Sequence, residues 1–146
     1  PYSLEGIVKR ERPEDKLQRG VIQHLHARGV PNSYFFHVPN GGQRSKIEAA
    51  ILVGLGVRAG VPDIFIIMNA RVFAMELKAP GRRPEPEQRE ALAALQRAGA
   101  ITAVCDSIDQ AVAILEGWGV LRGRAQLRTI GDLATRMDER QKIQQS

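Results

Sequence analysis

The 146-residue sequence has one cysteine, three histidines and no apolar run near the roughly 20 residues that span a bilayer. Cys105 alone cannot close an intramolecular disulfide. With no Cys or His at ligand-like spacing around it, it reads as a small buried hydrophobe near a strand end, in keeping with a reducing compartment. His24 and His26 lie two apart on a helical segment, hence on different faces, which argues against a zinc pair. No basic segment followed by an apolar stretch and a small-residue cleavage site marks export, although processing could have removed one, and the chain is read as cytoplasmic. Internal repeats and low-complexity tracts are also absent. Gly54-x-Gly56-x-x-x-Gly60 misses the dinucleotide fingerprint in spacing and follows a helix rather than a strand, so it reads as loop geometry delivering Asp63 to a strand start.

What is present is a globular composition, 43% hydrophobic and 25% charged, of a length suited to one domain with appendages. The net charge is +5, and its excess is concentrated late: residues 122–146 hold 6 of the 21 Lys+Arg but only 3 of the 16 Asp+Glu. An arm over 1–12, a domain over 13–121 and a polar, basic tail over 122–146, helical from about Thr129, are expected. Within the body, Lys9, Arg10 and Arg12, then Arg44 and Lys46, then Arg82 and Arg83 form basic clusters at element ends. Such clusters suit a phosphate backbone and equally suit solvated surface.

Pro13 with Glu14 and Asp15 marks a helix start, and Leu17, Val21, Ile22 and Leu25 share one face up to about Arg28, before Gly29 and Pro31. Ser33 to Val38 reads as a strand, 44–55 as a helix, and Asp63–Met68 and Arg71–Lys78 as a hairpin. Pro86–Ala98 is a helix, Ile101–Cys105 a strand, and Ser107 to about Trp118 a helix. The order predicts an α/β fold, a mixed sheet flanked by helices. Trp118 reads as a packing anchor rather than a base-stacking platform.

Chemistry concentrates on the hairpin. Glu76 and Lys78, one residue apart, share a face. If Asn69-Ala70 is a two-residue turn, the antiparallel register puts Asp63 opposite Glu76, with Cβ atoms roughly 4.5–5.5 Å apart. Carboxylates this close repel unless a cation or a shared proton intervenes, and Mg²⁺ commonly takes one or two carboxylates plus water and phosphate oxygens. Spacing alone is equally compatible with a surface Asp/Glu/Lys cluster, and Asn-Ala is a poorer type I′ turn than Asn-Gly. At 100° per residue Glu14 falls on the apolar stripe of its helix and Asp15 on the flank, so Glu14 is either a partner of the site or a first-turn acid. Gln88 shares the face of Ala91, Leu92 and Leu95 and directs an amide inward, toward the site or toward a nearby loop. His37 at a strand end reads as a structural hydrogen-bonder.

Taken together, His37-Val38-Pro39-Asn40-Gly41-Gly42, Ala59-Gly60-Val61-Pro62-Asp63, Glu76-Leu77-Lys78-Ala79 and Gln88 resemble, in order and spacing, the VRR-NUC (virus-type replication-repair nuclease) family of the PD-(D/E)XK superfamily, over residues 13 to 118. The resemblance implies a four- or five-stranded mixed sheet flanked by helices, Mg²⁺ or Mn²⁺ dependence, and cleavage of structured or branched DNA. It implies that Asp63, Glu76 and the Leu77 carbonyl bind metal, with Glu14 binding directly or through water. Lys78 would position the attacking water, and Gln88 would orient Lys78 or that water. The amides of Asn40, Gly41 and Gly42, with Arg44, Lys46, Arg58, Arg82 and Arg83, are the candidate DNA contacts. Small single-domain members resemble homodimeric Holliday-junction resolvases, the kind this chain looks like. A monomeric flap or general nuclease, and a non-catalytic DNA-binding module on the same fold, are the competing readings.

Overall fold

The computed structural model describes residues 10–39, 42 and 44–123. The expectations for Asn40, Gly41, most of the N-terminal arm and the tail beyond Gly123 lie outside these residues. Helix α1 spans Pro13–Arg28, with proline in its first turn and Glu14 and Asp15 against the positive end of its dipole. Its apolar stripe buries Val21 and Leu25. Strand β1 (Ser33–His37), helix α2 (Lys46–Gly54), strands β2 (Ile64–Met68) and β3 (Arg71–Leu77), helix α3 (Pro86–Arg97), strand β4 (Ile101–Cys105) and helix α4 (Ile108–Gly117) follow. The expected elements are all found, with ends shifted by a residue or two where caps take over. Ser45 caps α2 reciprocally with Glu48, and Ser107 caps α4.

Among the described residues the sheet has four strands in the order β1-β2-β3-β4, antiparallel except for the parallel β3–β4 pair. Strand alternation divides its faces. Ile64, Ile66, Phe73, Met75, Leu77 and Cys105 turn to one side and form the core with Val21 and Leu25 of α1 and Ala111 and Leu115 of α4. Each such aliphatic or aromatic side chain contributes about 1.5–3 kcal/mol on full burial. Trp118 packs on Phe73, ring centroids 5.0 Å apart, as a packing anchor should. Burial in this layer pushes the Cys105 thiol up to about 11, so it remains an inert thiol. The opposite face carries Ala74, Glu76 and Thr102 beneath α3, where Gln96 Nε2 donates to Thr102 Oγ1 at 2.7 Å.

The hairpin register is the one the two-residue turn requires: Met68 pairs with Arg71 and Ile64 with Met75. Asn69 and Ala70 both adopt positive φ, 51° and 60°, as a type I′ turn demands. Asparagine tolerates that conformation, whereas alanine's Cβ is strained in it, by roughly 1–2 kcal/mol. Replacing Ala70 with Gly is therefore expected to stabilise the fold by about 1 kcal/mol. Urea denaturation of the two proteins checks this, and an unchanged or lower midpoint would show the turn to be unstrained.

Candidate functional site

Four separate elements bring polar side chains to one end of the sheet. Pro62 is buried ahead of Asp63, which lies one step beyond the last β2–β3 pair and opposite Glu76. There the side chain substitutes for the ladder: Leu77 N donates to Asp63 Oδ2 at 2.8 Å. The Asp63 carbonyl is held from the other side, accepting from Val38 N at 3.1 Å and from His37 Nδ1 at 2.6 Å. This contact ties the His37 ring to the Asp63 carbonyl and gives it the structural role expected for it.

Glu76 is 2% exposed, an unusual degree of burial for a carboxylate. Its Oε1 accepts from Gln88 Nε2 at 2.6 Å and lies 3.4 Å from Lys78 Nζ. Gln88 is itself held, because its Oε1 accepts from Glu85 N at 2.8 Å in the capping box of α3. The amide thus grips Glu76, whereas the sequence had suggested Lys78 or a water as its partner. The reason is that α3 crosses above Glu76. The approach of α3 depends on Gly60, which has φ +74° and sits so close to the Glu87 and Gln88 backbone that a Cβ there would collide with it. The glycine before Val61-Pro62-Asp63 was the sequence signal for this contact, but its partner lies on another helix.

Glu14 and Asp15 diverge. Glu14 Oε1 accepts from Ala79 N at 3.3 Å, immediately after Lys78, whereas Asp15 pairs with Arg12 at 3.0 Å in a solvent-exposed contact. Arg12 holds the Asp15 carboxyl below its usual range. Of the remaining sequence-derived candidates, Gly42, Arg44, Lys46, Arg58, Arg82 and Arg83 are all exposed and outside the ion pairs found among the described residues.

The electrostatics of this cluster disfavour its own negative charge. Burial and then the neighbouring Asp63 push the Glu76 carboxyl up to about 7, against the pull of Lys78. Burial also raises Asp63, against the Leu77 amide and His37, with Glu14 adding to the rise. Carboxylates that resist ionisation side by side are stabilised by a hard cation. Among the described residues, the hydrogen bonds to this pair fall on Asp63 Oδ2 and Glu76 Oε1. Among the described residues no three His, Cys, Asp or Glu side chains form a closed ligand group. The donor set is therefore that of an open site, two carboxylates completed by carbonyl, water or substrate oxygens, and a divalent cation fits it.

A mixed sheet bearing an acid pair and a lysine at one end, flanked by helices, defines a nuclease-type fold. The VRR-NUC domain model matches residues 12–109, and the chain belongs to that family. No curated protein matches. Solved structures share the fold, two of them as follows. A VRR_NUC domain protein is 24% identical with a TM-score of 0.61, over 74% of this chain and 88% of its own. A second, described as a VRR_NUC domain, is 18% identical with a TM-score of 0.51, over 73% and 97%. Family membership implies a nuclease-type function on DNA, and domains of this family generally use divalent metals. No helix among the described residues is long and apolar enough to cross a membrane.

The raised acids set a pH dependence for the metal-free protein. Folded Glu76 keeps its proton where the unfolded chain, at about 4.5, has released it, so the folded state binds more protons and stability falls as pH rises. Melting temperature in EDTA is expected to drop between about pH 4.5 and 7, and Glu76→Gln should flatten much of that slope. A variant profile parallel to wild type would remove Glu76 as the source.

Proposed function

We propose that the protein is a Mg²⁺- or Mn²⁺-dependent endodeoxyribonuclease acting on branched DNA, with Asp63, Glu76, Lys78, Glu14 and Gln88 as its working residues. The observation that carries this reading is the buried Glu76 beside Asp63, an arrangement costly by itself and resolved by a cation. Asp63 and Glu76 would hold the metal with the Leu77 carbonyl, and Glu14 through water or directly. When bound, the cation supplies Lewis-acid stabilisation of charge on the phosphodiester.

The chain's own groups set the geometry. Leu77 N and the His37–Val38 pair hold Asp63 from its side chain and its carbonyl, so the carboxylate is positioned before substrate arrives. Gln88 fixes the rotamer of Glu76. Lys78, tethered to Glu76 and largely buried, presents an ammonium to the attacking water and to developing phosphate charge. The Ala79 amide orients Glu14 at the entrance. Gly42, Arg44, Lys46, Arg58, Arg82 and Arg83, with Asn40 and Gly41, would bear on the DNA backbone. The homodimer that the family resemblance implies belongs to the same reading, and the mass in solution tests it.

Linear duplex, flap and four-way-junction DNA, incubated with the protein in Mg²⁺, Mn²⁺ or EDTA, test the activity. Cleavage is expected with either metal and none in EDTA, with paired symmetrical nicks on the junction. Asp63→Asn or Glu76→Gln should lower the rate by roughly a thousandfold or more, the scale of several kcal/mol of lost charge stabilisation, with DNA binding retained. Undiminished cutting by either variant would sink the assignment. Glu14→Gln should also slow cleavage while Asp15→Asn leaves it near wild type, and the reverse order would move the helix acid to Asp15.

A further inference from the structure

Helix α2 departs from the rest of the fold. Its sequence, KIEAAILVG, is the kind that normally fills a core, yet none of its residues is buried. Ile47 is 75% exposed, Ile51 57%, and the C-cap Leu55 76%. These three recur every fourth residue and so share one face, with Val53 and Val57 also exposed. An apolar surface of this kind marks a contact to be made.

Its position names the contact. Val38 N and His37 Nδ1 both reach the Asp63 carbonyl, so the chain between 38 and 63 is an excursion that leaves the acid cluster and returns to it. α2 is the helical part of that excursion. Basic side chains stand at both of its ends, Arg44 before it and Lys46 as its first residue, then Arg58 after it, all exposed, and its one acid, Glu48, is engaged in the capping box with Ser45. Packing two copies of α2 together would set cations against cations whether they ran parallel or antiparallel, which is costly. A polyanion with an apolar interior reverses that balance, because phosphates meet both ends while aliphatic side chains meet base faces.

We propose that α2 is the element with which this nuclease reads DNA structure, Ile47, Ile51 and Leu55 entering the gap between base pairs at a branch point. Stacking is already interrupted there, so the unstacking cost that insertion into continuous duplex carries, a few kcal/mol per step, is largely absent. At about 1.5 Å per residue the nine-residue helix is about 14 Å long, enough to cover a junction centre between flanking phosphates. The inference rests on the reading of the acid cluster as a DNA-cleaving site, and it adds the source of structure selectivity.

The test uses full-length Glu76→Gln protein, so that binding is read without turnover, and a four-way junction with a fluorescent adenine analogue at the branch point. Binding is expected to change the emission at the branch by about twofold and to leave the same base within a duplex arm unaffected. Adding Ile47→Gln, Ile51→Gln and Leu55→Gln, exposed changes to a good helix former, should abolish that signal and weaken junction binding by about tenfold at fixed salt. The melting temperature and sedimentation mass should be unchanged. A triple variant that keeps the signal and the affinity overturns the proposal, as does a parent protein that gives no signal. Loss of binding together with a halved mass would also overturn it, placing a second copy on α2. Cleavage by the wild-type protein is scored separately: a branch signal without cutting fails the catalytic reading alone, and cutting without the signal fails this inference alone.

Discussion

Burying Glu76 next to Asp63 is the constraint to which the neighbouring structure answers. The stabilising contacts on the pair come from three parts of the fold: the end of β3 gives the Leu77 amide to Asp63 and Lys78 to Glu76, the end of β1 reaches the Asp63 carbonyl, and α3 gives Gln88 to Glu76. None of these removes the penalty, since Glu76 still titrates at about 7. The fold thus holds two acids in a place where their ionised forms are poorly tolerated, and it relies on core packing on the opposite face of the sheet to keep them there. On the proposed reading, a divalent cation would convert that tension into affinity.

Local periodicity made much of this legible in advance. The period of 3.6 on α1 separated Glu14 from Asp15, because a residue on the core-facing stripe must meet the rest of the fold while its neighbour meets solvent. The period of 2 and the turn length fixed Asp63 against Glu76. Asn-Ala was a poor turn by composition, but the flanking strands impose positive φ on Ala70 regardless. Three things were not legible. The partner of Gln88 depends on how α3 lies across the sheet, which the glycine at 60 permits but does not specify. The exposure of α2 contradicts its composition, because apolar content says that a helix seeks a dry surface and not where that surface is. The contacts of the basic side chains likewise depend on what lies outside the chain.

α2 and the core helices therefore illustrate two uses of the same residue types. In α4, Ala111 and Leu115 are fully buried, and Ile108, Val112 and Ile114 pack against the same core. In α2 equivalent aliphatics stay outside, on a segment tied at both ends to Asp63.

The contact between Glu14 and the Ala79 amide closes a span of 65 residues, and Gly81 N reaches forward to Asp106 across another 25. Asp63, Glu76 and Lys78 meet on one local hairpin, but Glu14 joins them only once α1 has packed against the sheet. A chain emerging from the ribosome, or one partly unfolded by heat or proteolysis, lacks the contact that brings Glu14 to the hairpin. On the proposed reading, the full set of working residues is gained and lost only with the complete fold.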